Sequence, residues 1–225
     1  MVVAETTNDI LIGLNHDDLA LLLNASEEIA LARGQVMAEA GQTASHVYFP
    51  LAGVLSLVGT TTGGATVEVA VVGSEGVASL SSVFGSGGLP FRVVTQVPGR
   101  ALKIPTDVVR SMIVDCGELH ERLLDYSHQL IAQLSQSAVC NRFHNARQRL
   151  ARWLLMTADR AGSNELLLTH EFISYMVGGP RSAVTEAASE LRESGAIDYR
   201  RGLIIIRDNA LLSGQSCECY AAVKQ

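Results

Sequence analysis

The sequence predicts an α+β fold with three parts: an N-terminal antiparallel β-roll of jelly-roll-like form, a long helix, and a C-terminal helical domain with a β-hairpin. Three observations support this prediction. In the first half of the chain, short apolar runs alternate with Gly, Pro and Asn turn signals, which is typical of closely spaced strands. Between residues 106 and 160, proline is absent, glycine is almost absent, and the apolar spacing becomes helical. The last segment combines short helical patterns with a glycine pair and two apolar runs.

The composition indicates a folded protein whose two ends differ in charge. Of its 225 residues, 48% are hydrophobic and 18% are charged, as in ordinary globular domains. Residues 1–140 carry 14 acidic and 6 basic side chains, a net charge of −8, whereas residues 141–225 carry 9 acidic and 11 basic ones, a net charge of +2. The overall charge of −6 argues against a diffuse electrostatic coating of nucleic acid. Only the C-terminal part has a charge that suits DNA binding.

The cellular compartment is predicted from three features that the sequence lacks. Its first residues have neither the basic segment nor the apolar core of a signal peptide. No apolar run reaches the length of about 18 residues that a membrane helix needs, and four cysteines are too few for a disulfide scaffold. We therefore expect a cytoplasmic protein with no membrane partner.

The first predicted domain covers residues 1–115. Asn15 is a suitable helix cap, and the clustered leucines after it predict a helix from His16 to Leu23. Roughly six to eight short strands follow, a number that favours an antiparallel sandwich or jelly roll, with a hairpin tip at Thr60–Gly64. The clearest apolar runs are Ile29–Ala32, Val47–Phe49, Val54–Val58, Val67–Val72, Val93–Val97 and Ala101–Ile104.

A long helix is predicted for residues 116–141, and its apolar residues form one narrow stripe. A stripe of this kind can lie on the core of its own domain, or it can form a two-stranded seam between subunits. Because the neighbouring positions are polar, we predict the seam, and therefore a homodimer held by a dimerisation helix. The residues of the stripe are Leu119, Leu123, Tyr126, Leu130 and Leu134.

The remaining residues, 142–225, have the pattern of a winged helix-turn-helix domain. After a helix near residues 144–160, a short helix precedes the pair Gly178-Gly179, and Pro180 suits the first turn of a second helix over residues 180–194. Two apolar runs around Arg200-Arg201-Gly202 then predict a β-hairpin with a basic tip. Two short helices around a glycine turn, followed by such a hairpin, define the motif. The apolar face of the second helix consists of Val184, Ala187, Ala188 and Leu191.

The second helix of this motif enters the major groove of DNA. Arg181 in its first turn can make two hydrogen bonds to guanine, and Glu186 can accept one from cytosine. The simpler interpretations are that Glu186 pairs with Arg181 or Arg192, and that the hairpin arginines are a solvated turn. The predicted DNA-binding residues are Arg181, Ser182, Thr185, Glu186, Thr169, Arg200 and Arg201.

At these residues the sequence resembles the Crp/Fnr family of bacterial transcription regulators. Leu168–Val184 is similar to the family's helix-turn-helix, Leu191–Ile197 to the entry into its wing, and Val47–Leu57 to the strands of its sensor domain. The resemblance implies a homodimer that binds a roughly palindromic operator in double-stranded DNA under the control of a signal at the N-terminal domain. It also implies RNA polymerase as a partner if the protein is an activator. Ser182 and Glu186 depart from the family pattern, so we expect a different half-site.

The sensor domain departs further from the relatives that bind cyclic nucleotides. Those relatives hold ribose with a glutamate after a glycine, and phosphate with an arginine followed by a small hydroxyl residue. Here Glu75, Arg92 and Thr95 are the candidate ligand-binding residues, but Val93 stands where the hydroxyl is expected. Cyclic AMP is therefore not the expected ligand, and another small ligand or none at all remain alternatives.

Metal and catalytic sites are not predicted. Relatives with an iron–sulfur cluster use cysteines near the N-terminus, and none lies before Cys116. Cys217 and Cys219 lie two residues apart, a spacing reminiscent of a subgroup of the family, but with no partner ligands nearby in sequence packing is favoured over metal binding. No nucleophile or paired carboxylates suggest an enzyme.

Two functional hypotheses follow from the sequence. The first is a sequence-specific transcription regulator. The alternative, favoured by the acidic total and by Glu186, is a ligand-sensing module whose winged helix mediates protein–protein contacts.

Overall fold

The structure, a computed structural model, describes residues 6–85 and 87–224, with all their side chains except that of His170. The chain folds into two compact units. The first consists of Met1–Leu57 and Val72–Leu130, and the second of Val58–Val71 and Ile131–Gln225. The α+β fold is confirmed. Among the described residues, no helix has the length and apolarity needed to cross a membrane.

The N-terminal part contains five strands of one sheet among the described residues. The sheet order is β1-β5-β3-β4, and β2 also pairs with β5. Strands β1 and β2 both run antiparallel to β5. The strands are β1 (Glu27–Leu31), β2 (Val36–Ala38), β3 (His46–Thr60), β4 (Thr66–Val72) and β5 (Arg92–Pro105).

Two pairs of predicted strands merge, because β3 and β5 continue through the proline and glycine positions that were expected to separate them. Gly53 has a φ of +87°, and a Cβ atom there would lie 2.6 Å from the carbonyl oxygen of Val97. A Cβ atom at Gly99 would overlap the carbonyl oxygen of Ala52. The two glycines therefore let the long neighbouring strands approach closely where a side chain would force them apart. The predicted count of six to eight strands is too high for this reason.

Five helices accompany this sheet in the described residues. The predicted helix after Asn15 is confirmed, and the Asn15 side chain accepts hydrogen bonds from the backbone N–H groups of Asp17 and Asp18. Asn8 caps the preceding helix and also donates to the carbonyl oxygens of Pro50 and Gly76. The helices are α1 (Asp9–Ile12), α2 (His16–Asn24), α3 (Ser81–Phe84), α4 (Thr106–Asp115) and α5 (Gly117–Phe143).

The apolar stripe of α5 faces the core of its own chain. Leu119 and Leu123 are fully buried and Tyr126 is 4% exposed within the single chain. The Tyr126 ring lies so close to Gly76 that a Cβ atom there would overlap it. The prediction that Leu119, Leu123 and Tyr126 form a seam between subunits is therefore wrong, because these side chains have no surface left for a second chain. Leu130 and Leu134, which complete the stripe, are half-buried.

A different face of α5 carries the exposed apolar side chains. Leu124 is 49% and Ile131 62% exposed, and Ala138, seven residues further on, is exposed as well. Positions seven residues apart lie on the same side of a helix. The long helix thus has an inner apolar stripe and a second apolar line that faces outward.

The second unit contains the predicted winged helix-turn-helix and a C-terminal tail of two short helices that was not predicted. Its small sheet is antiparallel, with strand order β6-β8-β7. The elements are α6 (Ala146–Ala161), β6 (Glu165–Leu167), α7 (His170–Val177), α8 (Arg181–Glu193), β7 (Ile197–Arg200), β8 (Leu203–Ile206), α9 (Asn209–Gln215) and α10 (Cys219–Val223).

Helix α6 forms the centre of this unit. Asn145 begins it with a capping box, in which its side chain and that of Gln148 bond each other's backbone N–H groups. Leu150 and Leu154 are fully buried. The indole Nε1 of Trp153 donates a 2.8 Å hydrogen bond to Glu68 Oε1, so the hairpin segment Val58–Val71 is held to α6 within the same unit.

Candidate nucleic-acid interface

The turn between α7 and α8 is built from local backbone requirements. The Thr169 side chain caps α7 by accepting a 3.2 Å hydrogen bond from Phe172 N. Gly178 and Gly179 follow with φ values of +72° and +120°, a region that favours glycine. Arg149 of α6 then donates through Nη2 to the Gly178 carbonyl oxygen at 3.2 Å. The angle between the two helices is thus set by glycine geometry and by a hydrogen bond to the turn.

Helix α8 buries one face and exposes the other, as predicted. Its four predicted apolar positions are between 0% and 3% exposed. Pro180 precedes the helix and provides no side-chain acceptor for the N–H groups of the first turn. Helix N-termini of this kind attract phosphate groups. The outward side chains are Arg181, Ser182, Thr185, Glu186 and Ser189, all of them exposed.

The side chains on this exposed face differ in how far they are already engaged. Thr185 Oγ1 donates back to the Arg181 carbonyl oxygen at 2.9 Å, as threonines in helices often do. Within residues 6–85 and 87–224, no ion pair joins Glu186 to Arg181 or Arg192. The interpretation that Glu186 merely neutralises a neighbouring arginine therefore finds no support. The guanidinium of Arg181 is exposed and unpaired in this part of the chain.

The wing presents two arginines with different environments. Arg200 Nε lies 3.0 Å from Asp198 Oδ2, which also receives Arg207 Nη2 at 3.2 Å. The hydrogen bond from Arg207 is the main cause that lowers the pKa of Asp198, with the charge of Arg200 as a smaller one. Arg201 has a φ of +48°, is exposed, and has no ion pair among the described residues. Arg201 is consequently the wing arginine that is more available to a phosphate.

The tip of the wing lies beside the start of α7. Leu168 N donates a 2.7 Å hydrogen bond to the Gly202 carbonyl oxygen. A Cβ atom at Gly202 would be 3.8 Å from the Thr169 methyl group. Thr169 and the wing tip therefore share one end of the motif, and the Thr169 hydroxyl already serves as a helix cap.

The three candidate ligand residues of the N-terminal part are not brought into one cavity. Glu75 Oε1 accepts a 3.0 Å hydrogen bond from Gly73 N, and Glu75 lines a cavity of about 190 Å³ beside α5. Among the described residues Arg122 is the cation of its lining, and neither Arg92 nor Thr95 takes part. Arg92 Nε instead forms a 2.8 Å ion pair with Glu39. Thr95 is fully buried, and its hydroxyl has no hydrogen-bond partner in the described structure.

A side-chain cluster in the second unit was missed by sequence reasoning. Cys217 and Cys219, which have no partner ligands nearby in sequence, lie with Cys140 and His144 so that the sulfur and nitrogen atoms are all within 4.8 Å of one another. The sequence offers no partner ligands near these two cysteines, and the fold supplies two potential ones from the end of α5. The signal available in the sequence was the spacing of Cys140 and His144, four residues apart at the end of a helix.

Comparison with known families agrees with this architecture. Residues 28–116 match the cyclic nucleotide-binding domain, and residues 148–214 match the Crp-like helix-turn-helix domain. A sensor domain of the first kind joined to a DNA-binding domain of the second defines a class of DNA-binding transcription regulators. Together the two matches account for most of the chain, in the order predicted from the sequence. The chain belongs to the Crp/Fnr family of that class.

Individual relatives are distant. The "CRP-like cAMP-activated global transcriptional regulator" of Mycobacterium tuberculosis is 23% identical over 208 residues, which cover 89% of this chain and 93% of that protein. FixK2 of Bradyrhizobium japonicum superposes with a TM-score of 0.73 at 14% identity, over 85% of this chain and 98% of that one. The c-di-GMP responsive regulator CLP of Xanthomonas campestris superposes with a TM-score of 0.71 at 13% identity, over 86% of this chain and 100% of that one. The two solved structures, at these identities, show a shared fold.

Proposed function

We propose that this protein is a homodimeric, sequence-specific transcription regulator that reads a roughly palindromic operator through α8 and responds to a signal at its N-terminal domain. The observation that carries the proposal is the outer face of α8. Its first turn presents Arg181, exposed and without an ion pair among the described residues, on a helix whose opposite face is buried and whose preceding turn is held by Arg149. Such an exposed helix start suits recognition of base edges in the major groove.

Each exposed residue has a distinct proposed role. Arg181 makes two hydrogen bonds to a guanine, and Glu186, one turn later, accepts from a cytosine amino group. Ser182 and Thr185 contact a phosphate or a base. Thr169, with Arg200 and Arg201 at the wing, contacts the sugar–phosphate backbone, which positions the protein without reading sequence.

The proposed dimer uses the outward line of α5 in place of the predicted stripe. Leu124, Ile131 and Ala138 repeat every seven residues and are exposed in the single chain. A seven-residue apolar repeat is the pattern by which two helices pack along a common seam. Leu134, half-buried beside this line, completes the proposed contact. A two-fold dimer places two copies of α8 symmetrically, which is the reason for expecting a palindromic operator.

The signal is proposed to act at the N-terminal domain, without assigning its identity. The mycobacterial relative is named for activation by cyclic AMP and the Xanthomonas relative for its response to c-di-GMP, so the fold accommodates different effectors. The engagement of Arg92 with Glu39, away from the cavity of Glu75, supports the expectation that cyclic AMP is not the effector. If the operator lies next to a promoter so that transcription rises, RNA polymerase is the further partner.

A selection experiment tests the proposal. Full-length protein is incubated with random DNA duplexes, and the bound sequences are recovered and compared across candidate effectors. We expect an enriched motif of two related half-sites, about 10 base pairs from centre to centre. Recovery of no common sequence under any condition, together with no footprint at low salt, would overturn the proposal in favour of a protein-binding winged helix.

A further inference from the structure

Four potential metal ligands converge in the second unit, at the end of α5 and in the C-terminal tail. They are the thiols of Cys140, Cys217 and Cys219 and the imidazole of His144. All three cysteines are buried and are free thiols, and the His144 side chain is 11% exposed. In a chain with only four cysteines, three meet at one point.

The local fold explains how two short sequence motifs meet. Cys140 and His144 are four residues apart at the end of α5, where His144 N still donates to the Cys140 carbonyl oxygen at 3.1 Å, so both point from one face of the helix. Cys217 and Cys219 flank Glu218 at the start of α10. The cluster thus joins residues 77 positions apart in the sequence.

Two of the distances between these atoms match the edges of a small coordination tetrahedron, and the others are at most 4.8 Å. Cys140 Sγ lies 3.5 Å from Cys217 Sγ, and Cys219 Sγ lies 3.5 Å from His144 Nδ1. Zinc bound at about 2.3 Å to sulfur and about 2.0 Å to nitrogen requires ligand atoms roughly 3.5–3.8 Å apart. We propose that Cys140, Cys217, Cys219 and His144 Nδ1 bind one Zn²⁺ ion in a closed site. Four protein ligands leave no position for water or substrate, so the site is structural.

The surrounding polar groups have the arrangement of a second coordination layer. His144 Nε2 lies 3.2 Å from Glu218 Oε1, which orients the ring so that Nδ1 faces the thiols. Gln136 Nε2 donates a 2.9 Å hydrogen bond to Cys219 Sγ. A carboxylate behind a ligating histidine is the usual support of zinc sites.

The charges also balance. Three thiolates around Zn²⁺ leave a net charge of −1. Arg152, only 8% exposed, interacts electrostatically with Cys140 and supplies a compensating positive charge. Its Nη2 donates a 3.1 Å hydrogen bond to Ser137 Oγ, while its Nε has no hydrogen-bond partner among the described residues.

A zinc ion at this site would link two segments that are distant in the sequence. Zinc bound here fastens the C-terminal tail to the end of α5, inside the unit that carries the helix-turn-helix. Because a structural site does not exist in the unfolded chain, its binding free energy stabilises the folded unit.

Metal analysis of the full-length protein tests this inference. The protein is purified under reducing conditions without a metal-affinity step, and zinc is measured by mass spectrometry. We expect about one zinc ion per chain, and, after exchange with Co²⁺, thiolate-to-metal charge-transfer bands with the visible absorption of tetrahedral cobalt. Cys219→Ser abolishes stoichiometric binding, whereas Cys116→Ser, the matched change at the cysteine outside the cluster, retains it. Glu218→Gln weakens zinc affinity about tenfold.

Three outcomes would overturn the site. The first is metal-free wild-type protein that gives no tetrahedral spectrum when Co²⁺ is added. This result does not depend on whether the variants fold. A Cys140–Cys217 disulfide in protein isolated without reductant would assign the cluster to covalent cross-linking. Iron and acid-labile sulfide found in the protein in place of zinc would identify an iron–sulfur cluster. None of these outcomes bears on operator selection, so this inference and the proposed function fail separately.

Discussion

The two apolar faces of α5 allow a decisive test of the dimer. In the double variant Leu124→Asp/Ile131→Asp, charge replaces side chains that are 49% and 62% exposed in the single chain. Full burial of a Leu or Ile side chain contributes about 1.5–3 kcal/mol, so the exposed parts of these two are worth about 2 kcal/mol per subunit. The dimer therefore loses about 4 kcal/mol, and since each 1.4 kcal/mol is tenfold, its dissociation constant rises about a thousandfold.

Sedimentation velocity over a range of concentrations measures this change, and circular dichroism verifies that the variant is folded. The matched control is Leu123→Ala on the inner face. Leu123 is fully buried, so its truncation lowers the free energy of unfolding by about 2–5 kcal/mol and leaves folded dimers intact. A double variant that remains dimeric, or a Leu123→Ala protein that becomes a folded monomer of unchanged stability, would refute the assignment of the outer face.

Three further predictions concern the DNA-binding unit. Arg181→Ala should weaken operator binding by about 1–3 kcal/mol and relax the base preference at one base pair per half-site. The control is Arg192→Ala, at the far end of the same helix, and equal losses of affinity for the two variants in a binding titration would contradict the proposed role. Arg201→Ala should lower the slope with which DNA affinity falls with salt concentration by about one, for every DNA sequence. Arg200→Ala should lower it by less because that arginine is ion-paired, and a larger effect of Arg200→Ala than of Arg201→Ala would exclude Arg201 as the main phosphate contact of the wing. Gly178→Ala should lower the free energy of unfolding by about 1–3 kcal/mol, because φ is +72° there. An unchanged melting curve would show that the turn tolerates a side chain.

The helices that the sequence predicted, which correspond to α2, α5, α6, α7 and α8, could be found because their signals are local. Asn15 and Asn145 cap the helices that follow them, and the apolar positions of α8 repeat at the helical period. Both depend on residues within one or two turns of each other. The strands were predicted less well, because Gly53 and Gly99 indicate breaks in the sequence but are the points at which two continuous neighbouring strands approach most closely.

The candidate DNA-binding site could likewise be predicted where it depends on local periodicity, but not where it depends on contacts between distant residues. The exposed face of α8 follows from helical periodicity, and all of its predicted residues are exposed. The pairing of Arg200 with Asp198 was not predictable from periodicity, because it depends on how the two strands of the wing position their side chains. The support of the turn by Arg149 likewise joins residues 29 positions apart.

By itself, the sequence determined the order of the domains, the periods of the helices and the face with which α8 can meet DNA, because backbone preferences and side-chain periodicity act over a few residues. The tertiary structure alone decided which apolar line of α5 is internal. Leu123 and Ile131 are equally hydrophobic in sequence terms, and only the packing of Tyr126 against Gly76 shows which side meets the core. It alone also brought Cys140 to Cys217, since a contact between distant residues depends on the path of all the chain between them.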